Sequence, residues 1–77
     1  MAENVLVRVR AVVGRVGHLE GNFADDADIF RDLGVKSVAA LDLLLSLEEE
    51  FSVAISDESF GDARSVSALA RLIESLT

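Results

Sequence analysis

The sequence predicts an all-α fold, a small four-helix bundle with three longer helices, one short helix and a long loop between the first two helices. Three segments carry apolar residues at helical spacing, serines precede two of the predicted helices, and no strand pattern of note competes with them. A chain of 77 residues can build one modest core. We therefore expect residues 1–77 to form a single domain.

The first helix is predicted from Glu3 to Val16, where apolar residues recur every three or four positions. The alternation in VLVRV also resembles a strand, but the helical period holds over three turns. Arg8 and Arg15 fall on the opposite side of the predicted helix. Gly17 is expected to end it, because glycine is common at helix C-termini. The apolar stripe consists of Val5, Leu6, Val9, Val12, Val13 and Val16.

Residues 18–35 are predicted to form the long loop, because glycine, asparagine and several aspartates in this segment favour turns. A loop of this length in a small domain is unusual unless it packs or has a function. The only histidine, His18, is expected on the surface or packed within the loop. The expected anchors of the loop in the core are Phe23, Ile29, Phe30 and Leu33.

The central helix is predicted from Ser37 to about Glu50, within the segment DLGVKSVAALDLLLSLEEEF at residues 32–51. One of its faces carries apolar residues at the spacing of a buried stripe. These core positions are Ala40, Leu43, Leu44, Leu47 and Phe51.

A second apolar stripe lies on another side of the central helix. Only about three other short elements can surround this helix, so we expect the second stripe to be partly exposed. Exposed apolar patches with a polar rim are typical of interaction sites. The alternative is that the long loop covers the stripe. The stripe consists of Val38, Leu41 and Leu45, and its acidic rim consists of Asp42, Glu48 and Glu49.

Two further helices are predicted after the central one. Ser56 or Asp57 is expected to cap a one-turn helix that ends at Gly61. Ser65 is expected to cap the last helix. Its predicted buried stripe is Val66, Leu69, Ile73 and Leu76.

The net charge of the chain limits the classes of partner that it can bind. The sequence has 14 acidic and seven basic residues, a formal net charge of -7, with no lysine or arginine between Ser37 and Ala63. Nucleic acid is therefore not an expected partner, because phosphate binding needs a basic face. The acids favour partners with basic docking surfaces, unless they only form a solvated face that keeps the protein in solution.

The composition also bounds the chemistry and the compartment. There is no cysteine, so disulfides and thiolate metal sites are excluded. The loop aspartates do not fit a calcium site, since Phe30 and Arg31 stand where a ligand and a glycine are required. The N-terminus lacks a signal-peptide core, and no stretch approaches the ~18 apolar residues of a membrane span. We expect a cytoplasmic monomer.

Catalysis by the chain itself is not expected. A serine hydrolase needs a base and an orienting acid beside its nucleophile, and the sequence around Ser37 lacks the G-x-S-x-G pattern. The glycine-rich phosphate-binding loop is absent as well. Ser37 is notable for its position, because an anionic group at a helix start gains about 0.3–1 kcal/mol from the helix dipole. The alternative is that Ser37 is only an N-cap.

The segment from Ala27 to Glu58 carries several motifs in one register: Asp32-Leu33-Gly34, Ser37, Leu47-Glu48-Glu49, Phe51, Ile55 and Asp57. Together they resemble the acyl carrier protein family, whose pattern is D-L-G-x-D-S-L followed by a helix that ends in L-E-E-x-F. The likeness extends over about residues 27–76.

This resemblance implies a four-helix carrier that is not an enzyme, with a 4'-phosphopantetheine arm attached to Ser37 from coenzyme A. The implied partners are a phosphopantetheinyl transferase and acyltransferase, ligase or synthase enzymes with basic docking surfaces. The cargo would be an acyl or aminoacyl group held as a thioester. The alternative is a carrier-like interaction module that is not modified. The implied partner-binding residues are Lys36, Val38, Leu41, Asp42, Leu45, Glu48 and Glu49.

The sequence departs from the family pattern at Lys36 and Val38, since the family has D-S-L where this chain has K-S-V. A cation at position 36 lies near the positive end of the helix dipole, which is unfavourable by a few tenths of a kcal/mol. It could instead pair with the phosphate of an attached arm. We interpret the departure as a sign of a dedicated partner set in a specialised polyketide or aminoacyl pathway.

Overall fold

The computed structural model describes residues 4–77 and is helical wherever it has regular structure. The helices are α1 (Val5–Gly17), α2 (Ala40–Phe51), α3 (Asp57–Asp62) and α4 (Val66–Leu76), with a 3-10 turn at Ser37–Ala39 directly before α2. The predicted bundle of three longer helices and one short helix is confirmed. The predicted start of the first helix, Glu3, lies outside the described residues.

The core lies where α1 packs against α2 and α4. The stripes predicted on α1, α2 and α4 supply most of it, except for Leu76, which is exposed at the last turn of α4. The prediction for Leu76 is therefore wrong, since α4 extends past the elements that cover its other apolar residues. The loop and the connections add Ile29, Val35, Ile55 and Ala63. The side chains with almost no exposure are Val9, Val12, Val13, Ile29, Leu43, Leu47, Val66, Leu69 and Ile73.

The first helix ends at Gly17, as predicted, but Gly17 is not the left-handed residue of the cap. Gly17 is the last helical residue, and His18 takes the left-handed conformation with φ of 55°. The His18 N–H donates to the helix carbonyls of Arg15 and Gly14, which closes the last turn. Gly17 is needed for another reason, because a Cβ atom there would lie 2.7 Å from Cγ2 of Val35. The glycine lets the end of the long loop pack against α1.

Arg8 does not lie on the outer side of α1 as predicted. Its guanidinium is 4.5 Å from the ring centroid of Phe51. Nη2 donates to both the backbone carbonyl and the carboxylate of Glu50, each at 2.9 Å. Since α2 has no basic residue in its last turn, Arg8 supplies the cation that favours a helix C-terminus.

The long loop is held at both halves by arginines. Arg10 on α1 donates to the Phe23 carbonyl at 2.6 Å and stacks over the Phe23 ring at 4.1 Å. Arg64, between α3 and α4, bonds Asp28, and its carbonyl accepts from the Ile29 N–H at 2.7 Å. The loop anchors are confirmed, with Ile29 fully buried and the three other predicted side chains packed against the core.

The caps of the two last helices are confirmed in part. The Ser56 hydroxyl accepts from the Ser59 N–H, and the Ser65 hydroxyl accepts from the Ala68 N–H, both at 3.1 Å. Gly61 does not end α3, which continues to Asp62. The end of α3 is set by the buried Ala63, which leaves helical geometry to enter the core.

We predict that Gly17→Ala lowers the free energy of unfolding by about 1–3 kcal/mol, because the new methyl group would collide with the buried Val35 side chain. Urea unfolding followed by circular dichroism measures the change. The matched control is Gly61→Ala, where no atom beyond the neighbouring residues and the backbone of α3 lies within 4 Å of the new Cβ. There helix propensity should leave stability unchanged or raise it by up to ~1 kcal/mol. Equal effects of the two substitutions would contradict the prediction.

Candidate functional site

Ser37 is an exposed residue at the first position of the 3-10 turn. The N-cap position belongs to Lys36, and no side chain of residues 4–77 caps either this turn or α2. The interpretation of Ser37 as an N-cap is therefore wrong. The helix start keeps backbone N–H groups that lack side-chain acceptors, which favours an anionic group at this end. The α-helix itself begins three residues later than predicted, at Ala40.

The approach to Ser37 is fixed by the residues before it. Gly34 turns the chain with φ of 76°, a conformation that costs glycine little. Val35 is buried, and its N–H donates to the Ile29 carbonyl at 3.2 Å. Lys36 is extended and exposed. The buried Val35 thus anchors the chain two residues before the serine, while the serine itself faces solvent.

The second apolar stripe, which begins in the 3-10 turn and continues along α2, is exposed, as expected. The exposed fractions are 87% for Val38, 63% for Leu41 and 54% for Leu45. The alternative that the long loop covers this stripe is wrong. Asp42 and Glu49 are also exposed and lie on the same side of the helix. We call Val38, Leu41, Asp42, Leu45 and Glu49 the α2 face.

Glu48 differs from its acidic neighbours. It is half-buried, and its Oε2 accepts from the Ile55 N–H at 2.8 Å. This bond fixes the connection between α2 and α3. Glu48 therefore has a structural partner within the chain, whereas Asp42 and Glu49 project into solvent.

Two cavities flank the serine. One, of about 260 Å³, includes Ser37 itself and lies toward α3. The other, of about 490 Å³, lies toward the end of α1 and includes Lys36 and His18. The cavity toward α3 is lined by Phe30, Ser37, Ala40, Phe60, Gly61 and Arg64.

An ion pair stands beside the smaller cavity. Arg64 donates from Nε to Oδ2 of Asp28 at 2.7 Å and from Nη2 to Oδ1 at 3.2 Å. Oδ1 also accepts from the N–H groups of Phe30 and Arg31. The hydrogen bond from Arg64, and then that from Arg31, lowers the pKa of Asp28 to about 2. Asp28 in turn raises the pKa of Arg64.

The fold is a small helical bundle with an exposed serine at an uncapped helix start and an exposed apolar face beside it. This arrangement is consistent with a small carrier domain. A family model described as the phosphopantetheine attachment site matches residues 7–73. The chain belongs to this family, whose members are carriers and not enzymes. The family's cofactor is 4'-phosphopantetheine, covalently attached.

Individual relatives agree with the family. The chain is 27% identical over 75 residues to the acyl carrier protein of Trieres chinensis, covering 96% of this chain and 94% of that protein. A solved structure of a candidate acyl carrier protein from Mycobacterium tuberculosis superposes with a TM-score of 0.84 at 21% identity, covering 94% of this chain and 97% of that one. The second likeness shows the fold.

The sequence did not point to Arg64 as a residue of the cavity that includes Ser37, or to His18 as a residue of the other cavity. Each lies far from Ser37 along the chain and carries no motif. The basic residue that follows the acidic stretch from Ser37 to Ala63 was the available signal for Arg64. Within residues 4–77, no helix is long and apolar enough to cross a membrane.

We predict that Asp28→Asn removes stability that depends on pH. Because the pKa of Asp28 is depressed from 3.8 to about 2 in the fold, its ionised form stabilises the protein above pH 3.8, and this contribution is lost as the pH falls toward 2. Urea unfolding from pH 2 to 7 should show a gap between wild type and variant that is constant at neutral pH and shrinks in this window.

The control for this experiment is Asp26→Asn, an exposed neighbour in the same loop. It should change the free energy of unfolding at pH 7 by less than ~0.5 kcal/mol. A gap between wild type and Asp28→Asn that stays the same from pH 7 to pH 2 would contradict the assignment.

Proposed function

We propose that Ser37 is the attachment point of the 4'-phosphopantetheine arm and that the chain carries an acyl or aminoacyl intermediate on it as a thioester. The observation that carries this proposal is the exposed Ser37 at a helix start without side-chain caps. The other serines lie elsewhere on the helices or their connections. The sequence motifs around Ser37 support the same residue.

The residues around Ser37 fit the arm. The hydroxyl is exposed to a modifying enzyme, and the helix start favours the negative charge of a phosphodiester. The arm supplies a thiol, which the chain lacks because it has no cysteine. The cavity that includes Ser37 offers space for a part of the arm at its point of attachment.

We propose that the α2 face binds the partner enzymes: a phosphopantetheinyl transferase and acyltransferase, ligase or synthase enzymes with basic docking surfaces. Three exposed apolar side chains with acids among them offer both hydrophobic contact and charge complementarity. The face begins one residue after Ser37, so a docked enzyme is next to the arm. Lys36 and Glu48 belong to this proposal at the edges of the face.

We propose a specialised pathway, polyketide or aminoacyl, because Lys36 replaces the family's aspartate next to the serine. An exposed cation among acids changes the charge pattern that a partner meets. Residues 1–77 are proposed to work as one carrier domain, since the family model spans residues 7–73. The cytoplasmic location and the monomeric state stay predictions.

We predict that incubation with coenzyme A and a promiscuous phosphopantetheinyl transferase adds one arm to the protein, measured as an increase in intact mass. Ser37→Ala should abolish the increase, because the accepting hydroxyl is gone. The matched control is Ser46→Ala, a serine within α2. It should be modified like wild type, since alanine keeps the helix.

Intact mass of the protein from its producing cell separates the proposal from its alternative. A group on Ser37 gives the cargo and so tests the proposed pathway. An unmodified native protein that also resists several transferases would favour the carrier-like interaction module.

We predict that Leu45→Asp weakens binding of a partner enzyme by about 10-fold or more, because it places a charge in the apolar centre of the α2 face. Isothermal titration calorimetry with the transferase measures the loss. The free energy of unfolding should change by less than ~0.5 kcal/mol, since Leu45 is exposed. The control is Val7→Asp, an equally exposed valine on α1. Equal losses for both variants would argue against the α2 face.

A further inference from the structure

The cavity next to Ser37 has one charged wall. Arg64 lines it together with the serine, and its other main walls are the rings of Phe30 and Phe60. The Arg64 guanidinium also lies 5.3 Å from the centroid of the Phe30 ring. Cations stack favourably on aromatic faces, which helps to hold the guanidinium at the cavity. The serine thus shares a small, largely apolar space with a cation.

Asp28 holds the Arg64 guanidinium in place but does not use all of its N–H donors. Asp28 accepts hydrogen bonds from Nε and Nη2 of Arg64. Nη1 of Arg64 has no hydrogen-bond acceptor among residues 4–77. Asp28 itself is fixed by the N–H groups of Phe30 and Arg31. The Asp28 carboxylate therefore uses one edge of the guanidinium and leaves another edge for an anion. An arginine fixed in this way loses little freedom when it forms further bonds.

Arg64 is a basic residue beside a stretch of the chain that is otherwise acidic. Between Ser37 and Ala63 the chain has seven acids and no lysine or arginine. Lys36 and Arg64 are the two cations that bound this stretch. A phosphodiester on Ser37 adds an anion to an acidic surface, and these two residues are the lysine and the arginine that line the cavities on either side of it.

We propose that Arg64, oriented by Asp28, is an arm-positioning residue that binds the phosphodiester on Ser37 and directs the first segment of the arm into the cavity between Phe30 and Phe60. This inference rests on the proposed attachment at Ser37. It adds a specific docked position for the arm, on the α3 side of the serine and away from the α1 side.

Arg64 fits this role better than Lys36 does. Guanidinium groups bind phosphate oxygens through two parallel hydrogen bonds, whereas a lysine ammonium acts as a point charge. Arg64 lines the cavity that contains Ser37, whereas Lys36 lines the cavity on the other side. Lys36 is also exposed and extended, and as the N-cap it makes no capping bond with its side chain.

The size of the cavity agrees with the first segment of the arm as its occupant. Its volume of about 260 Å³ is below the ~300–1,000 Å³ of ordinary small-molecule pockets. In the first segment of the arm, a carbon with two methyl groups follows the phosphodiester after one methylene group. Two phenyl rings are a suitable apolar surface for these methyl groups. A short segment fits the space, and the remaining arm with its thiol stays outside.

Nuclear Overhauser effects between an unlabelled arm and isotope-labelled protein test the proposal. Cross-peaks are expected from the two arm methyl groups to the ring protons of Phe30 and Phe60. In Arg64→Gln the intensity of these cross-peaks should fall by about two- to fivefold, because an ion pair of a half-exposed arginine changes a binding equilibrium by about this factor. Arg64→Lys should restore part of the intensity. The matched control Arg71→Gln, an exposed arginine on α4, should keep it.

Loading of each variant is checked by mass before the spectra are recorded, so a failure of the attachment at Ser37 is seen separately. Wild-type cross-peaks that are absent, or unchanged in Arg64→Gln, would overturn the proposal. Their loss in Lys36→Gln but not in Arg64→Gln would overturn it in favour of Lys36. If Arg64→Gln does not fold, the wild-type cross-peaks should still weaken as salt rises from 0.1 M to 1 M, where screening shortens from ~10 Å to ~3 Å.

Discussion

The ion pair between Asp28 and Arg64 is the contact on which the surroundings of Ser37 depend. The Asp28 carboxylate satisfies two backbone N–H groups of the long loop and binds the guanidinium, while the Arg64 carbonyl accepts from the Ile29 N–H. These bonds join the long loop to the connection between α3 and α4, and Ile29 is buried in the core next to them. The chain reaches Ser37 directly from this loop, and these bonds hold a segment that is otherwise of a mobile type.

The second constraint is the incomplete cover of α2. In a chain of this size α1 and the rest of the core bury one side of α2, and few residues remain for the other side. Leucine and valine side chains therefore stay in water next to Ser37, at a cost in hydrophobic free energy of about 25 cal/mol per Å² that a partner can recover on binding. The fold has this exposed face because it is small, and a carrier can use it for docking.

Much of the fold was predictable because helical periodicity reports burial directly. The stripes on α1 and α2, the cap Ser65 and the exposed second stripe were predicted correctly, and Ser56 was one of the two predicted caps for α3. The wrong predictions for Leu76, Gly61 and the Ser37 cap concern helix ends, whereas the roles that were missed depend on distant segments. Gly17 serves the approach of Val35, and Arg8 serves the end of α2. A local pattern assigns such residues to their own helix, although their role depends on another one.

The sequence by itself determined the helices and the family and predicted Ser37 as the attachment site, because periodicity and motifs are local properties of the chain. Only the tertiary structure decided what surrounds the serine. It excluded the N-cap role by placing Lys36 at the cap, gave Glu48 a partner in Ile55 and brought Arg64 to the cavity of Ser37. These outcomes follow from packing between residues up to 27 positions apart, from Ser37 to Arg64, and no one-dimensional pattern encodes them.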